Sequence, residues 1–155
     1  MSLEQKIIRM LAETKRTLAL AESCTGGLVS NRITDVPGAS DCLDLCVVAY
    51  TNEAKMRLLG VKRSAIGRCG AVSEPVAVQM AQGARRIQNS TFGLSITGIA
   101  GPTGGNRQKP IGLAFIAIAS EAEVLCLKCQ FKGSRKKIKK DAGSQALKLL
   151  FEFLE

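Results

Sequence analysis

Residues 17–34 read TLALAESCTGGLVSNRIT, an apolar run followed by a polar turn and a helical pattern. The run predicts a strand over 17–21, and the apolar spacing beyond the turn predicts a helix over 26–34. A strand, a tight turn and a helix in succession raise a hydroxyl above the end of a sheet. The turn contains the nucleophilic side chains of Ser23, Cys24 and Thr25, followed by two glycines. We therefore expect the chemistry of the protein at this turn.

The rest of the chain continues the alternation of strands and helices. Helices are predicted over 2–14, 53–59, about 64–67, from Ser73 to about 87, and over 134–153, and strands over 45–50, 92–97, 111–119 and 124–131. This alternation predicts an α/β fold in which a parallel sheet is covered on both faces, and the last two strands add an antiparallel hairpin. The strand 45–50 is expected to be buried. At 155 residues, the chain is long enough for one domain, residues 1–155, with its own core.

The chain is strongly basic, with 22 Lys and Arg against 13 Asp and Glu and a formal charge of +9. Such an excess favours anionic partners. Six of the nine residues from Lys132 to Lys140 are basic. Because no aromatic residues are interleaved there for base stacking, we interpret this basic cluster as the solvated start of a helix and do not expect a nucleic-acid partner.

Neither the N-terminal residues nor any apolar run suggests export or a membrane. The N-terminus lacks the basic-then-apolar order of a signal peptide. No apolar run approaches the roughly 20 residues of a membrane span. We therefore expect a cytoplasmic protein without a membrane partner.

Six cysteines are present, at positions 24, 42, 46, 69, 126 and 129. Reduced thiols are expected, because the chain is not small and shows no secretion signal. Cys126 and Cys129 form a C-x-x-C pair that, with Cys42 and Cys46, has the residues of a four-thiolate zinc site. However, positions three apart on a strand face opposite sides, so we interpret these cysteines as buried apolar residues and expect no metal.

Histidine is absent, which excludes Ser-His-Asp triads, Cys-His dyads and histidine-based metalloprotease sites. Lys55 is the best remaining base for Ser23, because the start of a helix and partial burial both lower the pKa of a lysine. Tyr50 ends the preceding strand and offers a hydroxyl that relays or donates a proton. The alternative is that Lys55 is an exposed helix residue and Tyr50 a half-buried strand end. Cys24 competes with Ser23 as the nucleophile.

Ligands of parallel sheets bind at the carboxyl ends of the strands. Three polar stretches are predicted at such ends, over 22–27, 50–55 and 97–105. The third is rich in glycine, and its backbone N–H groups are suited to an anion. It contains neither the Walker A pattern nor G-x-G-x-x-G, so the sequence gives little support for an ATPase or for a Rossmann dinucleotide-binding site.

Several motifs in order and at similar spacing resemble the CinA C-terminal domain family, whose enzymatic members are nicotinamide-nucleotide amidases. The matching segments are AESCTGG (21–27), TDVPGAS (34–40), VVAYTNEAK with RLLGV (47–61), GAVSEPVA (70–77), and ITGIAGPTGG with KPIGLAFIAIA (96–119). The resemblance covers nearly the whole chain. It implies a three-layer α/β/α sandwich on a five-stranded mixed, mostly parallel sheet, and a homo-oligomer.

The resemblance also implies a reaction, the hydrolysis of the carboxamide of nicotinamide mononucleotide to nicotinic acid mononucleotide and ammonia. Ser23 would be the nucleophile, Lys55 the base and Tyr50 an assisting hydroxyl. The residues that would bind this small-molecule nucleotide are Thr25, Gly26, Gly27, Ser73, Thr97, Gly98 and Gly101. The scheme needs no cofactor and no metal.

Two departures from the family pattern do not touch Ser23, Tyr50 or Lys55. Leu45 and Cys46 stand where the family usually has two glycines, and Ser134 replaces the acid of an F-x-G-D-R motif that ends here at Arg135. An alternative function is a non-catalytic interaction module, because larger relatives are associated with competence and DNA-damage responses. In that reading, the basic cluster docks on nucleic acid or on a protein.

Overall fold

A computed structural model describes all residues, 1–155, as a five-stranded sheet between two layers of helices. The helices are α1 (Leu3–Glu13), α2 (Leu28–Thr34), α3 (Asn52–Leu59), α4 (Arg63–Cys69), α5 (Glu74–Gln88) and α6 (Arg135–Leu154), with one 3-10 turn at Ala39–Asp41. The strands are β1 (Leu18–Glu22), β2 (Leu43–Val48), β3 (Phe92–Gly98), β4 (Leu113–Ala119) and β5 (Val124–Gln130). None of the helices is both long and apolar enough to cross a membrane.

The strand order is β2-β1-β3-β4-β5. The central strand β1 pairs in parallel with β2 and β3, whereas β3 with β4 and β4 with β5 are antiparallel. Only β4 therefore runs against the other strands. This arrangement confirms the predicted α/β sandwich on a mixed, mostly parallel sheet and the closing hairpin.

Alternation along β1 divides the core into two layers. Leu18 and Leu20 pack with α1, α2 and α6, while Ala19 and Ala21 pack on the opposite face with α3 and α5. All four side chains are buried, and each large one contributes about 1.5–3 kcal/mol to folding. The next residue that faces α2 is Glu22, and the alternation continues into the turn beyond it.

Local capping signals confirm several predicted helix ends. Ser2 and Gln5 form a capping box at α1. At α3, the Thr51 hydroxyl accepts from the N–H of Ala54 at 3.0 Å, and Gly60 ends the helix in a left-handed conformation. Ser73 stands at the N-cap position of α5, but its hydroxyl donates to the carbonyl of Gly70 at 2.8 Å instead of capping the helix.

The prediction that the second strand is buried is wrong. β2 begins at Leu43 and ends at Val48, two residues earlier than predicted, and its residues alternate between half-buried and exposed. The physical reason is its place at the edge of the sheet, where only β1 pairs with it.

The cysteines are all free, and they are less uniformly buried than predicted. Only Cys24 and Cys42 are buried, and Cys46 is exposed. Cys126 packs on the α5 side of the sheet and Cys129 on the α6 side, so the two thiols do not converge.

Candidate active site

The turn after β1 meets the start of α3 at the carboxyl edge of the sheet. The N–H of Ser23 donates to the carbonyl of Ile96 at 3.0 Å, which ties the turn to β3. Lys55 lies in the first turn of α3 and extends back toward β1. The two polar stretches that follow β1 and β2 therefore lie side by side, as expected for neighbouring parallel strands.

Ser23 and Lys55 are in direct contact. Lys55 Nζ lies 3.0 Å from Ser23 Oγ, and the residues are 2% and 7% exposed, respectively. The same nitrogen donates to the carbonyls of Ala49 at 3.2 Å and Tyr50 at 3.4 Å. Burial disfavours the ammonium form and lowers the pKa of Lys55.

This set of contacts suits both protonation states of Lys55. An ammonium has three N–H donors, which match the three oxygens around it. A neutral amine donates its two N–H bonds to the carbonyls of Ala49 and Tyr50, and its lone pair then accepts the Ser23 hydroxyl proton. The arrangement can therefore act as a nucleophile and general base without histidine.

Cys24 lies beside this pair but is a poor competitor as nucleophile. Its side chain is buried, and burial raises the pKa of the thiol to about 11. The thiolate, which is the reactive form, is therefore scarce near neutral pH. This favours Ser23 among the nucleophiles of the turn.

A cavity of about 270 Å³ opens above Ser23 and Lys55. Its lining is formed by Ser23, Cys24, Tyr50, Asn52, Lys55, Ala71, Val72, Thr97, Gly98, Ile99, Ala100, Gly101, Thr103, Gly104 and Arg135. The size fits part of a small molecule better than a polymer. One wall is the glycine loop, residues 98–105, which follows β3.

Backbone N–H groups around the cavity have no backbone acceptor. On the cavity lining, these groups belong to Cys24 in the turn and to Ala100, Gly101, Thr103 and Gly104 in the glycine loop. The N–H group of Thr25, which follows Cys24 outside the lining, also has no backbone acceptor. The Thr97 hydroxyl, by contrast, is occupied by the carbonyl of Ala71 at 3.0 Å. Unoccupied N–H groups are suited to an oxyanion or a phosphate.

Arg135, at the start of α6, closes one side of the cavity. Its Nη1 donates to the carbonyl of Gly101 at 2.6 Å, and its Nη2 donates to the Tyr50 hydroxyl at 2.9 Å. One member of the basic cluster thus belongs to the site. The site residues predicted from the sequence do not include Arg135 or Asn52, and the resemblance around Phe131–Arg135 is the signal that points to Arg135.

Tyr50 lies at the cavity in a different way from that predicted. The residue is 58% exposed, and its hydroxyl faces Arg135. Its contact with Lys55 is made by the backbone carbonyl. The role of the Tyr50 hydroxyl as an assisting group at Ser23 stays a prediction.

The other predicted binding residues divide into two groups. Thr97, Gly98 and Gly101 line the cavity, whereas Thr25, Gly26, Gly27 and Ser73 do not. The Thr25 hydroxyl donates to Glu22 at 2.5 Å, and the Gly27 N–H donates to the same carboxylate at 3.1 Å. The residues of the second group thus lie outside the cavity, in the turn and at the start of α5.

Known proteins resemble this chain over its whole length. The model of the CinA C-terminal domain matches residues 1–154. A CinA-like protein of Syntrophus aciditrophicus (strain SB) is 49% identical over 154 residues, which are 99% of this chain and 37% of that protein. The chain therefore spans little more than a third of the length of the curated relatives it matches.

Solved structures show the same fold. The competence/damage inducible protein CihA from Agrobacterium tumefaciens superposes with a TM-score of 0.96 at 35% identity, over 99% of this chain and 94% of that one. A competence or damage-inducible protein from Enterobacter asburiae gives a TM-score of 0.95 at 31% identity, over 99% and 96%.

Proposed function

This chain belongs to the CinA C-terminal domain family, and we propose that it is an amidohydrolase acting on nicotinamide mononucleotide. The products would be nicotinic acid mononucleotide and ammonia. The observation that carries the proposal is the 3.0 Å contact between Ser23 Oγ and Lys55 Nζ on the floor of a small cavity. The names of the relatives give the family and no reaction, so the substrate rests on the resemblance of the site motifs.

In the proposed reaction, Ser23 Oγ bonds to the carboxamide carbon while its proton passes to the neutral amine of Lys55. Collapse of the tetrahedral intermediate breaks the C–N bond, and Lys55 gives the proton to the departing nitrogen, which leaves as ammonia. A water molecule then attacks the acyl ester, with Lys55 again accepting a proton. The bond to Ser23 Oγ then breaks, Lys55 returns its proton to Ser23, and the acid product gives its remaining proton to solvent and leaves as a carboxylate.

The unoccupied N–H groups of Cys24 and Thr25 are our candidates for the oxyanion hole. They lie directly after the nucleophile, where the developing negative charge needs donors. The glycine loop and Arg135 would hold the phosphate, because both line the cavity and offer N–H groups. This assignment also gives one basic residue of the cluster a specific task.

Ammonia release from nicotinamide mononucleotide tests the proposal. Wild-type protein should release ammonia, and Ser23→Ala should not. Ser90→Ala is a matched control, because Ser90 is another buried serine that does not line the cavity. Its hydroxyl donates to the Asp44 carboxylate at 2.6 Å. Absence of ammonia from well-folded wild-type protein would refute the substrate assignment.

The remaining expectations concern partners and location. We propose a homo-oligomer, because exposed apolar residues such as Val124 and Leu125 lie on the edge strand β5. Sedimentation velocity tests this proposal, and a monomer at all concentrations would contradict it.

A nucleotide substrate also fits the proposed cytoplasmic location. The structure adds no support to a nucleic-acid module, since Arg135 of the basic cluster faces the cavity.

A further inference from the structure

Glu22 is a buried carboxylate next to the nucleophile, and the reaction scheme does not use it. We propose that Glu22 is a positioning residue that caps α2 from the end of β1 and thereby holds Ser23 against Lys55. It is not a catalytic residue, because it lies outside the cavity lining. Its kinetic consequence rests on the proposed amidase function, while its structural consequence does not.

The carboxylate of Glu22 is fully occupied by donors from the turn and from α2. Oε2 accepts from Thr25 Oγ1 at 2.5 Å, Gly27 N at 3.1 Å and Val29 N at 3.2 Å, and Oε1 accepts from Ser30 N at 2.7 Å and Ser30 Oγ at 2.6 Å. The residue is 1% exposed. No salt bridge includes Glu22, so the direct contacts of its carboxylate are these five hydrogen bonds.

The need for Glu22 follows from the backbone of the turn. Gly27 is the N-cap of α2 with φ at +97°, a conformation that glycine adopts freely and other residues avoid. A glycine has no side chain with which to accept the first N–H groups of the helix. The Glu22 carboxylate, five residues before Gly27, caps the helix instead, because it accepts from the N–H groups of Val29 and Ser30.

The cap is coupled to Ser23 because the two residues are consecutive and point to opposite faces. Glu22 faces α2, on the side of Leu18 and Leu20, whereas Ser23 faces Lys55 of α3. The main chain between them is held on one side by five hydrogen bonds to the carboxylate and on the other by the Ser23 N–H bond to Ile96. Release of the first set would let the turn rotate and move Ser23 Oγ.

Two substitutions test this coupling. Glu22→Gln keeps the shape but turns an amide NH₂ toward N–H donors, so at least one bond of the set is lost. Thr25→Val removes one donor and leaves the carboxylate in place. The coupling can therefore still be tested if Glu22→Gln does not fold. Ser90→Ala, which removes the hydrogen bond from another buried serine to Asp44, is the matched control.

Crystal structures of the variants and steady-state kinetics are the two measurements. In Glu22→Gln, the distance from Ser23 Oγ to Lys55 Nζ should exceed hydrogen-bond range, and kcat should fall about 10- to 100-fold with KM within about threefold. Thr25→Val should show the same pattern at a smaller size. Ser90→Ala should leave both kcat and the distance unchanged.

An unchanged 3.0 Å distance in both variants would overturn the inference, whatever their activity. A loss confined to KM would also overturn it, because that result places Glu22 in substrate binding. If wild-type protein releases no ammonia, the proposed function fails, and the distance in the variant structures still decides whether Glu22 positions Ser23.

Discussion

The turn after β1 and the glycine loop after β3 line the same cavity but are built in opposite ways. In the turn, residues 22–25 are all buried, and hydrogen bonds that the Glu22 carboxylate accepts fix the chain on one side. In the glycine loop, residues 102–105 are exposed. Most backbone N–H groups of that loop have no backbone acceptor.

The difference assigns separate tasks to the two regions. A nucleophile must be held within a fraction of an ångström of its base, which a buried turn tied to Glu22 and to the carbonyl of Ile96 achieves. An anion needs donors that are not already occupied, which an exposed loop supplies. Substitutions at the turn should therefore lower kcat, whereas substitutions at the loop wall should raise KM.

The largest effect should come from Lys55→Met, which removes the base from the turn. We expect kcat to fall by about 10²- to 10⁴-fold with little change in KM. Ammonia release measures the effect. Lys148→Met, at an exposed lysine of α6, is the control and should match wild type. Equal losses in the two variants would show that Lys55 has no special function.

The pH dependence of kcat/KM also tests the task assigned to the turn. Burial lowers the pKa of Lys55, and only the neutral amine acts as a base. Activity should therefore rise with pH, by about tenfold per unit on the acid limb, and level off above the lowered pKa. Measuring kcat/KM from acid to alkaline pH tests this. A profile that falls with pH over that range would exclude a lysine base.

Arg135→Gln probes the loop wall. The change removes charge-assisted bonds to the Gly101 carbonyl and the Tyr50 hydroxyl. We expect KM to rise by about 10-fold or more, with kcat within about threefold. Lys136→Gln, at the adjacent exposed lysine of the basic cluster, is the control. A loss in kcat alone would assign Arg135 to the chemistry and break the division of tasks.

The stability of Lys55→Met should depend on pH less steeply than that of wild type. In the window between the lowered folded pKa of Lys55 and its higher unfolded pKa, the unfolded state binds more protons, so wild-type stability rises with pH. Removing the amine should flatten this rise in Lys55→Met, because the variant has no group at position 55 that titrates. Denaturant unfolding at several pH values measures the free energy of unfolding, and a variant whose stability rises with pH as steeply as that of wild type would contradict the account.

Tyr50→Phe should have the smallest effect. The lost hydroxyl bonds only to Arg135, and the Tyr50 carbonyl that contacts Lys55 remains. We expect kcat and KM to stay within about threefold of wild type, because exposed polar contacts contribute little. The kinetic assay that measures Lys55→Met applies here. A large loss in kcat would restore Tyr50 as an assisting hydroxyl.

The sequence alone predicted the parts of this site that follow from local rules. The strand and helix around Ser23 and the place of Lys55 at the start of α3 come from periodicity and capping residues. Because neighbouring parallel strands end at the same edge, their meeting was predictable in outline. The contact itself, at 3.0 Å, required the structure.

The features that were missed depend on distant partners. The direction of the Tyr50 hydroxyl is set by Arg135, 85 residues further along the chain. The exposure of β2 follows from the strand order, because an apolar segment does not reveal whether one or two strands pair with it. The cap formed by Glu22 depends on the positive φ angles of Gly26 and Gly27 in the turn, which the amino-acid sequence alone does not specify.

The most direct test of the central claim is to trap the acyl-enzyme. Wild-type protein is mixed with nicotinamide mononucleotide, quenched in acid and digested with trypsin, which releases residues 17–32 as one peptide because cleavage follows Arg16 and Arg32. Fragmentation by mass spectrometry should locate the nicotinic acid nucleotide as an ester on Ser23, and Lys55→Met should lack it. An adduct on Cys24, or rapid ammonia release with no acyl group on Ser23 at any quench time, would contradict a serine nucleophile activated by lysine.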